Sequence, residues 1–397
     1  MPNLSNNLQQ IEGLLYSDGL PVSVIVQDGL IVEIKGISKL PDKNKNLFIA
    51  PGLIDNQVNG FNGITFWYDE GDAVIDKAAI LVATKALWQS GVTTYLPTLI
   101  TNSHPSLLLN FTAWSRIKDD ADLLGSVAGF HLEGPYISPV AGYRGAHSEK
   151  YIRDPDWKEF MELYESAGNR ILTVTVAPET PGGLEFIKRC QEKGIIVALG
   201  HHNASTAIID QAVEMGARIC THLGNGLANT INRHVNPLWP QLANDKLMIS
   251  IICDGFHLLP EEIRVFYRVK GTDKTILTSD VTMFAGMPPG IYKNEADEDI
   301  ELAPDGLLHY PAQGVLYGSA IPLFAGVGHI MKITGCRLSE AIQMASSNPA
   351  RLYGLNDRGS LEQGKRADLI LFTMENSTMK IRRTYVKGKP VFNADEL

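Results

Sequence analysis

VAGFHLEGP (127–135), IVALGHH (196–202), ICTHL (219–223) and KTILTSD (274–280) are four short apolar runs, each with a metal-binding or proton-moving side chain at or near its C-terminal end. Those side chains are Glu133, His201, His222 and Asp280. Runs of this length, rich in Val, Ile and Leu, read as strands buried on both faces. Polar residues at the C-terminal ends of several such strands mark the mouth of an α/β barrel, where its active site is built. Two histidines and a carboxylate suit a divalent cation, and Asp280 is then free to act as a base.

Working outward, four further runs complete a set of strand candidates: FIAPGLIDNQVN (48–59), TTYLPTL (93–99), LTVTVAP (172–178) and ISIICDG (249–255). Helical spacing of apolar residues between them predicts helices over 73–91, 184–194 and 205–216, the last with Ser205 as N-cap. Eight strands with helical crossovers predict a (β/α)8 TIM-type barrel, and no glycine-rich dinucleotide or phosphate-loop fingerprint follows the first strand. Residues 11–36 and 367–392 alternate and turn like hairpins, at Asp18-Gly19, Asp28-Gly29 and Lys387-Gly388. The expected organisation is a small β-sandwich formed from both termini (1–49 and 356–397) around a barrel over 50–355.

The chain has 397 residues, 44% hydrophobic and 20% charged, with a formal net charge of −9. That balance is that of a soluble globular protein, and its sign argues against nucleic acid or an acidic membrane as partner. A few local cations can still receive an anionic small molecule. No run is long enough to span a bilayer, and MPNLSNNLQQ at the start has neither the basic nor the apolar part of a signal peptide. Cys190, Cys220, Cys253 and Cys336 lack paired spacing and read as reduced, buried thiols of a cytoplasmic protein. Cys253 beside Asp254 is read as one of these and not as a nucleophile.

For a single histidine, a core imidazole bonded to backbone is the default reading. Three ligand-type residues at strand ends reverse it, because burying such groups without partners is costly. His202, adjacent to His201, points to the other face and reads as structural. Asp280 could instead cap a helix. His147 and His257, in segments after the third and seventh strands, could each bond a polarised carbonyl or a substrate hydroxyl, or be loop histidines.

The motifs PGLIDNQVNG (51–60), HLEGPYIS (131–138), VTVAPE (174–179), LGHHNAS (199–205), THLGNG (221–226), DGFHL (254–258), LTSD (277–280), GSA (318–320), NPARLYGL (348–355) and GKRADLI (364–370) run in order along nearly the whole chain. Together they resemble the amidohydrolase superfamily, and within it the N-acetylglucosamine-6-phosphate deacetylases. The resemblance implies that Glu133, His201 and His222 hold one divalent ion, Zn2+ in the first instance, with Fe2+, Mn2+ or Co2+ as alternatives. Gln57 and Asn59 stand where many amidohydrolases have a His-x-His pair, which favours one metal over two. The implied reaction is hydrolysis of the acetamido group of an amino-sugar phosphate, with metal-bound water as nucleophile. Asp280 serves as general base and acid, and His147 helps to stabilise the oxyanion. Gln57, Asn59 and His257 are implied on the substrate, with the backbone of Asn225 and Gly226 on its phosphate. Arg233 resembles an arginine that reaches the phosphate of a neighbouring subunit, which implies a homodimer. The segment 224–245 and the loop 136–147 depart from the family pattern, and both surround the sugar-phosphate end. Two other functions remain open at this point: an amidohydrolase for another, unphosphorylated N-acyl substrate, and a barrel that only binds.

Overall fold

Eight strands pair in sequential order to form the central sheet: Leu53–Val58, Val92–Ile100, Phe130–Glu133, Ile171–Val176, Ile196–Leu199, Ala217–Cys220, Met248–Ile252 and Thr275–Thr278. All neighbours within it are parallel. The computed structural model describes residues 8–69, 71, 74–294, 297–312 and 314–396; the N-terminal residues 1–7 and Ala73, the start of the predicted first helix, lie outside them. The sheet closes into a barrel just beyond its first and last strands. There Val58 bridges Val281, Asp280 N donates to Gln57 O at 3.1 Å, and Asn59 N donates to Val281 O at 2.8 Å.

The predicted helices form over Lys77–Gln89, Gly183–Glu192 and Thr206–Met215, and Ser205 caps the last through Ile208 N. Asp76 caps the first by accepting from Ala79 N at 3.1 Å. Helices His104–Ile117, Trp157–Ser166, Leu238–Ala243 and Pro260–Lys270 fill the remaining crossovers, and Leu323–Thr334 follows the eighth strand. No helix among the described residues is long and apolar enough to cross a membrane.

The run 48–59 is not one strand but two. Phe48–Pro51 pairs antiparallel with Leu369–Glu375 in a second sheet, while Leu53–Val58 opens the barrel. Gly52 makes the passage possible, since a Cβ there would stand 2.1 Å from Thr93 Oγ1. The second sheet has seven strands, contributed by both ends of the chain. It folds over a core of its own that joins Val24, Ile31 and Ile49 to Leu369 and Leu371. Two of the turns read from sequence put both residues in the left-handed region: Asp28 and Gly29 at φ 52° and 80°, Lys387 and Gly388 at φ 48° and 71°.

One element has no counterpart in the sequence reading. After the eighth strand the chain makes an antiparallel four-stranded excursion, Gly290–Lys293, Asp299–Leu302, Leu308–Tyr310 and Val315–Leu316, packed around Phe284, Ile300 and Tyr310. Its strands are short and separated by Gly, Pro and Asp, so they carry too few alternations to be read as strands.

Aromatic packing anchors the barrel to its second helix. Phe130 is fully buried and meets Phe111 and Trp114 edge-on at 5.6 and 5.9 Å, and Trp114 Nε1 donates to Phe66 O at 2.9 Å. Phe130→Ala should lower unfolding free energy by ~3–5 kcal/mol, measured by urea denaturation, because the rigid aromatic surround cannot collapse into the space. A loss below 1 kcal/mol would mean that this cluster relaxes freely.

Candidate active site

Glu133 ends the third barrel strand, while His201 and His222 each lie two residues beyond the fifth and sixth. Both histidines leave the strand in the left-handed region, at φ 51° and 28°, as does Asp280 at φ 53°. A non-glycine residue is uncommon there, and such strain persists where the surrounding structure over-determines it. Here it turns three side chains off the ladder and into the mouth of the barrel.

Glu133 Oε1 stands 2.9 Å from His222 Nε2 and 3.3 Å from His201 Nε2, and the two Nε2 atoms are 3.1 Å apart. His201 Nδ1 lies 3.0 Å from the carbonyl of Tyr143, to which it donates, so its Nε2 carries a lone pair. A lone-pair nitrogen, a second imidazole nitrogen and a carboxylate oxygen therefore converge in a buried space. Tetrahedral ligands at ~2.0–2.1 Å from zinc stand roughly 3.3 Å from one another, so this spacing fits a cation among them. The electrostatics agree. Burial opposes charge on His222, yet the Glu133 carboxylate raises its pKa over that penalty. Burial likewise opposes charge on Glu133, and the two histidines hold it well below the usual range.

Glu133, His147 and His201 also offer ligand atoms that all lie within 4.8 Å of one another. We favour His222 over His147 as the third ligand, because its contacts with the other two are at coordination-edge distance. His147 stacks edge-on against His201, with ring centroids 4.4 Å apart, and its Nδ1 is buried without a hydrogen-bond partner. Burial above all lowers its pKa to about 3, so it is a neutral donor at the edge of the cluster. His202 turns away, its Nδ1 accepting from Ala204 N at 3.2 Å.

Asp280 faces the same cavity. Its Oδ1 accepts from Gln57 Nε2 at 3.0 Å and Asn59 Nδ2 at 2.8 Å. Gln57 is thus turned onto Asp280 and not onto the cavity wall, while Asn59 does both. The sequence reading places both residues on the substrate; in the fold both donate to the Asp280 carboxylate. Burial and the Glu133 charge push the Asp280 carboxyl up to about 6. Behind it, buried Asp55 accepts from Ser279 Oγ and from Ser279 N at 3.2 Å, fixing the residue just before Asp280.

The cavity measures about 570 Å3 and is lined by Glu133, His147, His201, His222 and Asp280, with Asn225, Gly226 and His257 on the same wall. Asp254 Oδ2 sits 2.7 Å from His257 Nδ1 and orients the ring. Although Asp254 is largely buried, the His257 contact holds its pKa below the ordinary value. Arg233 is exposed and is not part of this wall; its carbonyl accepts from Trp239 Nε1 at 3.1 Å. Two groups on the wall were not picked out from sequence. Arg144 follows the third strand, in the loop 136–147 that departs from the family pattern; Met283 and Phe284 follow the eighth strand directly, and Val315 and Leu316 end the excursion after it.

Comparison with known proteins agrees with this geometry. The profile of the amidohydrolase family matches residues 48–391. The N-acetylglucosamine-6-phosphate deacetylase of Bacillus subtilis (strain 168) is 30% identical over 352 residues, which are 88% of this chain and 85% of that protein. The Homo sapiens protein of the same name is 32% identical over 357 residues, covering 87% and 84%. Among solved structures, the N-acetylglucosamine-6-phosphate deacetylase from Thermotoga maritima superposes with a TM-score of 0.82 at 27% identity, covering 97% of this chain and 100% of that one. The Pasteurella multocida enzyme gives 0.81 at 28%, covering 96% and 98%.

Gly226 touches the cluster from the side. Its φ is 64°, and a Cβ there would lie 2.8 Å from His201 Nδ1. Gly226→Ala should displace the His201 ring and reduce the divalent metal retained per chain after dialysis, read by elemental analysis. Full retention would show that the loop yields instead.

Proposed function

As this chain belongs to the amidohydrolase family, and within it to the N-acetylglucosamine-6-phosphate deacetylases, we propose that it hydrolyses the acetamido group of an N-acetylhexosamine 6-phosphate. N-acetyl-D-glucosamine 6-phosphate is the first candidate, giving the free amine and acetate. The observation that carries the reading is the convergence of Glu133, His201 and His222 within 3.3 Å, in one cavity with Asp280.

Glu133, His201 and His222 would hold one divalent ion, for which zinc is proposed; the same donors also accept Fe2+, Mn2+ or Co2+. When bound, that ion supplies a Lewis acid for the amide carbonyl and lowers the pKa of water at the site. Asp280 takes the proton of the attacking water on its carboxylate and returns it to the departing nitrogen. Gln57 and Asn59 fix that carboxylate by donating to one of its oxygens, Oδ1, which leaves Oδ2 for the proton. His147, buried and neutral, is placed to donate to the oxyanion, and His257, oriented by Asp254, to a sugar hydroxyl. The backbone of Asn225 and Gly226 is assigned to the phosphate. For Arg233, exposed on its own chain, the reading is a contribution to the neighbouring site of a homodimer. Four unpaired cysteines favour a reducing, cytoplasmic setting.

The deciding experiment is a deacetylation screen over N-acetyl hexosamines with and without the 6-phosphate. Preference for the phosphorylated gluco sugar is expected, and equal rates on the unphosphorylated sugar would overturn the substrate. Asp280→Asn should bind metal normally and lose turnover by ~10²–10⁴-fold. Retained turnover would mean that another group moves the proton. The base acts ionised, so rate falls as pH drops through the Asp280 pKa. The hydrogen bond from Asn59 favours the ionised form. Asn59→Ala should therefore raise that pKa and move the acid limb of kcat/KM to higher pH, and an unmoved limb would detach it from Asp280.

A further inference from the structure

We propose that Arg144 is the cation with which this chain's own cavity receives the phosphate of its substrate. The inference rests on the phosphorylated-sugar reading above and gives the anionic end of the substrate a partner in the same chain. Among the described residues that line the cavity, Arg144 is the only lysine or arginine, and it shares the space with the acids Glu133 and Asp280. In a chain of formal net charge −9, a dianionic substrate meets repulsion unless a local cation offsets it. Arg233 is exposed and off this wall, so within one chain it does not fill that need.

The hydrogen bonds of Arg144 leave its phosphate-binding edge open. Nη1 donates to His147 O at 2.9 Å, which holds the guanidinium plane. Nη2 stands 3.8 Å from Glu149 Oε2, too far for a hydrogen bond, and the Glu149 side chain is 71% exposed, where an ion pair is weak. Nε and Nη2 form the side of the guanidinium that donates two parallel bonds to a phosphate or carboxylate. That side has no hydrogen-bond partner among the described residues.

The loop is also fixed against two neighbouring parts of the cavity wall. Tyr143, the preceding residue, accepts from His201 Nδ1 at 3.0 Å, which ties the loop to the metal end. Gly142 rests on the segment after the sixth strand, where a Cβ on it would stand 2.7 Å from Ala228 Cβ. That segment brings Asn225 to the same wall, and Asn225 Nδ2 is buried with no hydrogen-bond partner. Two touching loops therefore present unsatisfied N–H donors and one positive charge, which is the complement of an oxygen-rich anion.

The test compares metal-loaded wild type with Arg144→Met, Arg144→Gln and Arg144→Lys on N-acetylglucosamine with and without the 6-phosphate. Gln keeps an N–H that can reach His147 O, so it guards against a result caused only by the loss of that brace. Met and Gln should raise KM for the phosphorylated sugar by roughly 10–100-fold, as expected for losing charge-assisted hydrogen bonds. They should leave kcat nearly unchanged, and kcat/KM on the unphosphorylated sugar as well. Lys should recover part of the loss. Binding of glucosamine 6-phosphate, measured by calorimetry, should weaken in the same proportion without any dependence on turnover. Equal losses on both sugars would overturn the proposal in favour of a brace for His147. An intact phosphate preference in Met and Gln would overturn it in favour of another phosphate site. If wild type itself shows no phosphate preference, the substrate reading fails first and this one falls with it.

Discussion

Three electron-rich atoms held about 3 Å apart in a buried space constrain everything around them. Glu133, His201 and His222 come from three different strands, and without a positive charge among them their lone pairs and negative charge repel. Burying such a set is costly unless a cation or a proton neutralises it. The surrounding hydrogen bonds hold the groups together against that repulsion. Tyr143 O fixes the far side of the His201 ring, and Ser250 Oγ accepts from His222 N at 2.8 Å. Below them the chain His131–Thr175–Thr221 joins strands three and four to the residue just after strand six through side-chain bonds of 2.7 and 2.8 Å. The left-handed backbone at both histidines is the local cost of aiming them at one point.

The same logic governs the seam of the barrel. Strands one and eight meet where Asp280 emerges, and the bonds that close the barrel are the ones that hold it. Asp280 N reaches Gln57 O, Gln57 and Asn59 side chains reach Asp280 Oδ1, and Asp55 holds Ser279. Closing the barrel and positioning the Asp280 carboxylate are therefore one structural event. Two amides where a second pair of metal-binding histidines could stand serve here as donors to a carboxylate. This gives the one-metal reading a positive structural role for Gln57 and Asn59.

The cavity holds charge of both signs. Its metal end gathers Glu133 and Asp280, while Arg144 and the donors of Asn225 lie on loops in contact with each other. The chain after the eighth strand adds Phe284, and the end of its excursion Val315 and Leu316, to the wall and keeps part of it apolar. Both departures from the family pattern, 136–147 and 224–245, reach this cavity, and both also touch the His201 ring, through Tyr143 O and Gly226.

By itself the sequence determined the barrel and which polar side chains stand at its mouth. Doubly buried strands must be continuous apolar runs, so a Glu, His or Asp at the end of one stands out against its surroundings, as at Glu133, His201, His222 and Asp280. Turns such as Asp28-Gly29 were legible for a similar reason, because a two-residue hairpin needs positive φ and few residues provide it. Only the tertiary structure decided the rest. That 48–59 splits at Gly52 depends on how closely Thr93 approaches, which no local pattern records. That Gln57 and Asn59 hold Asp280 depends on the meeting of strands one and eight, more than 200 residues apart in sequence. Arg144 lies in the loop 136–147 that departs from the family pattern, but a loop has no period to say where its side chain goes. Its standing as the one lysine or arginine among the described lining residues is a property of the cavity and exists only once the chain has folded around it.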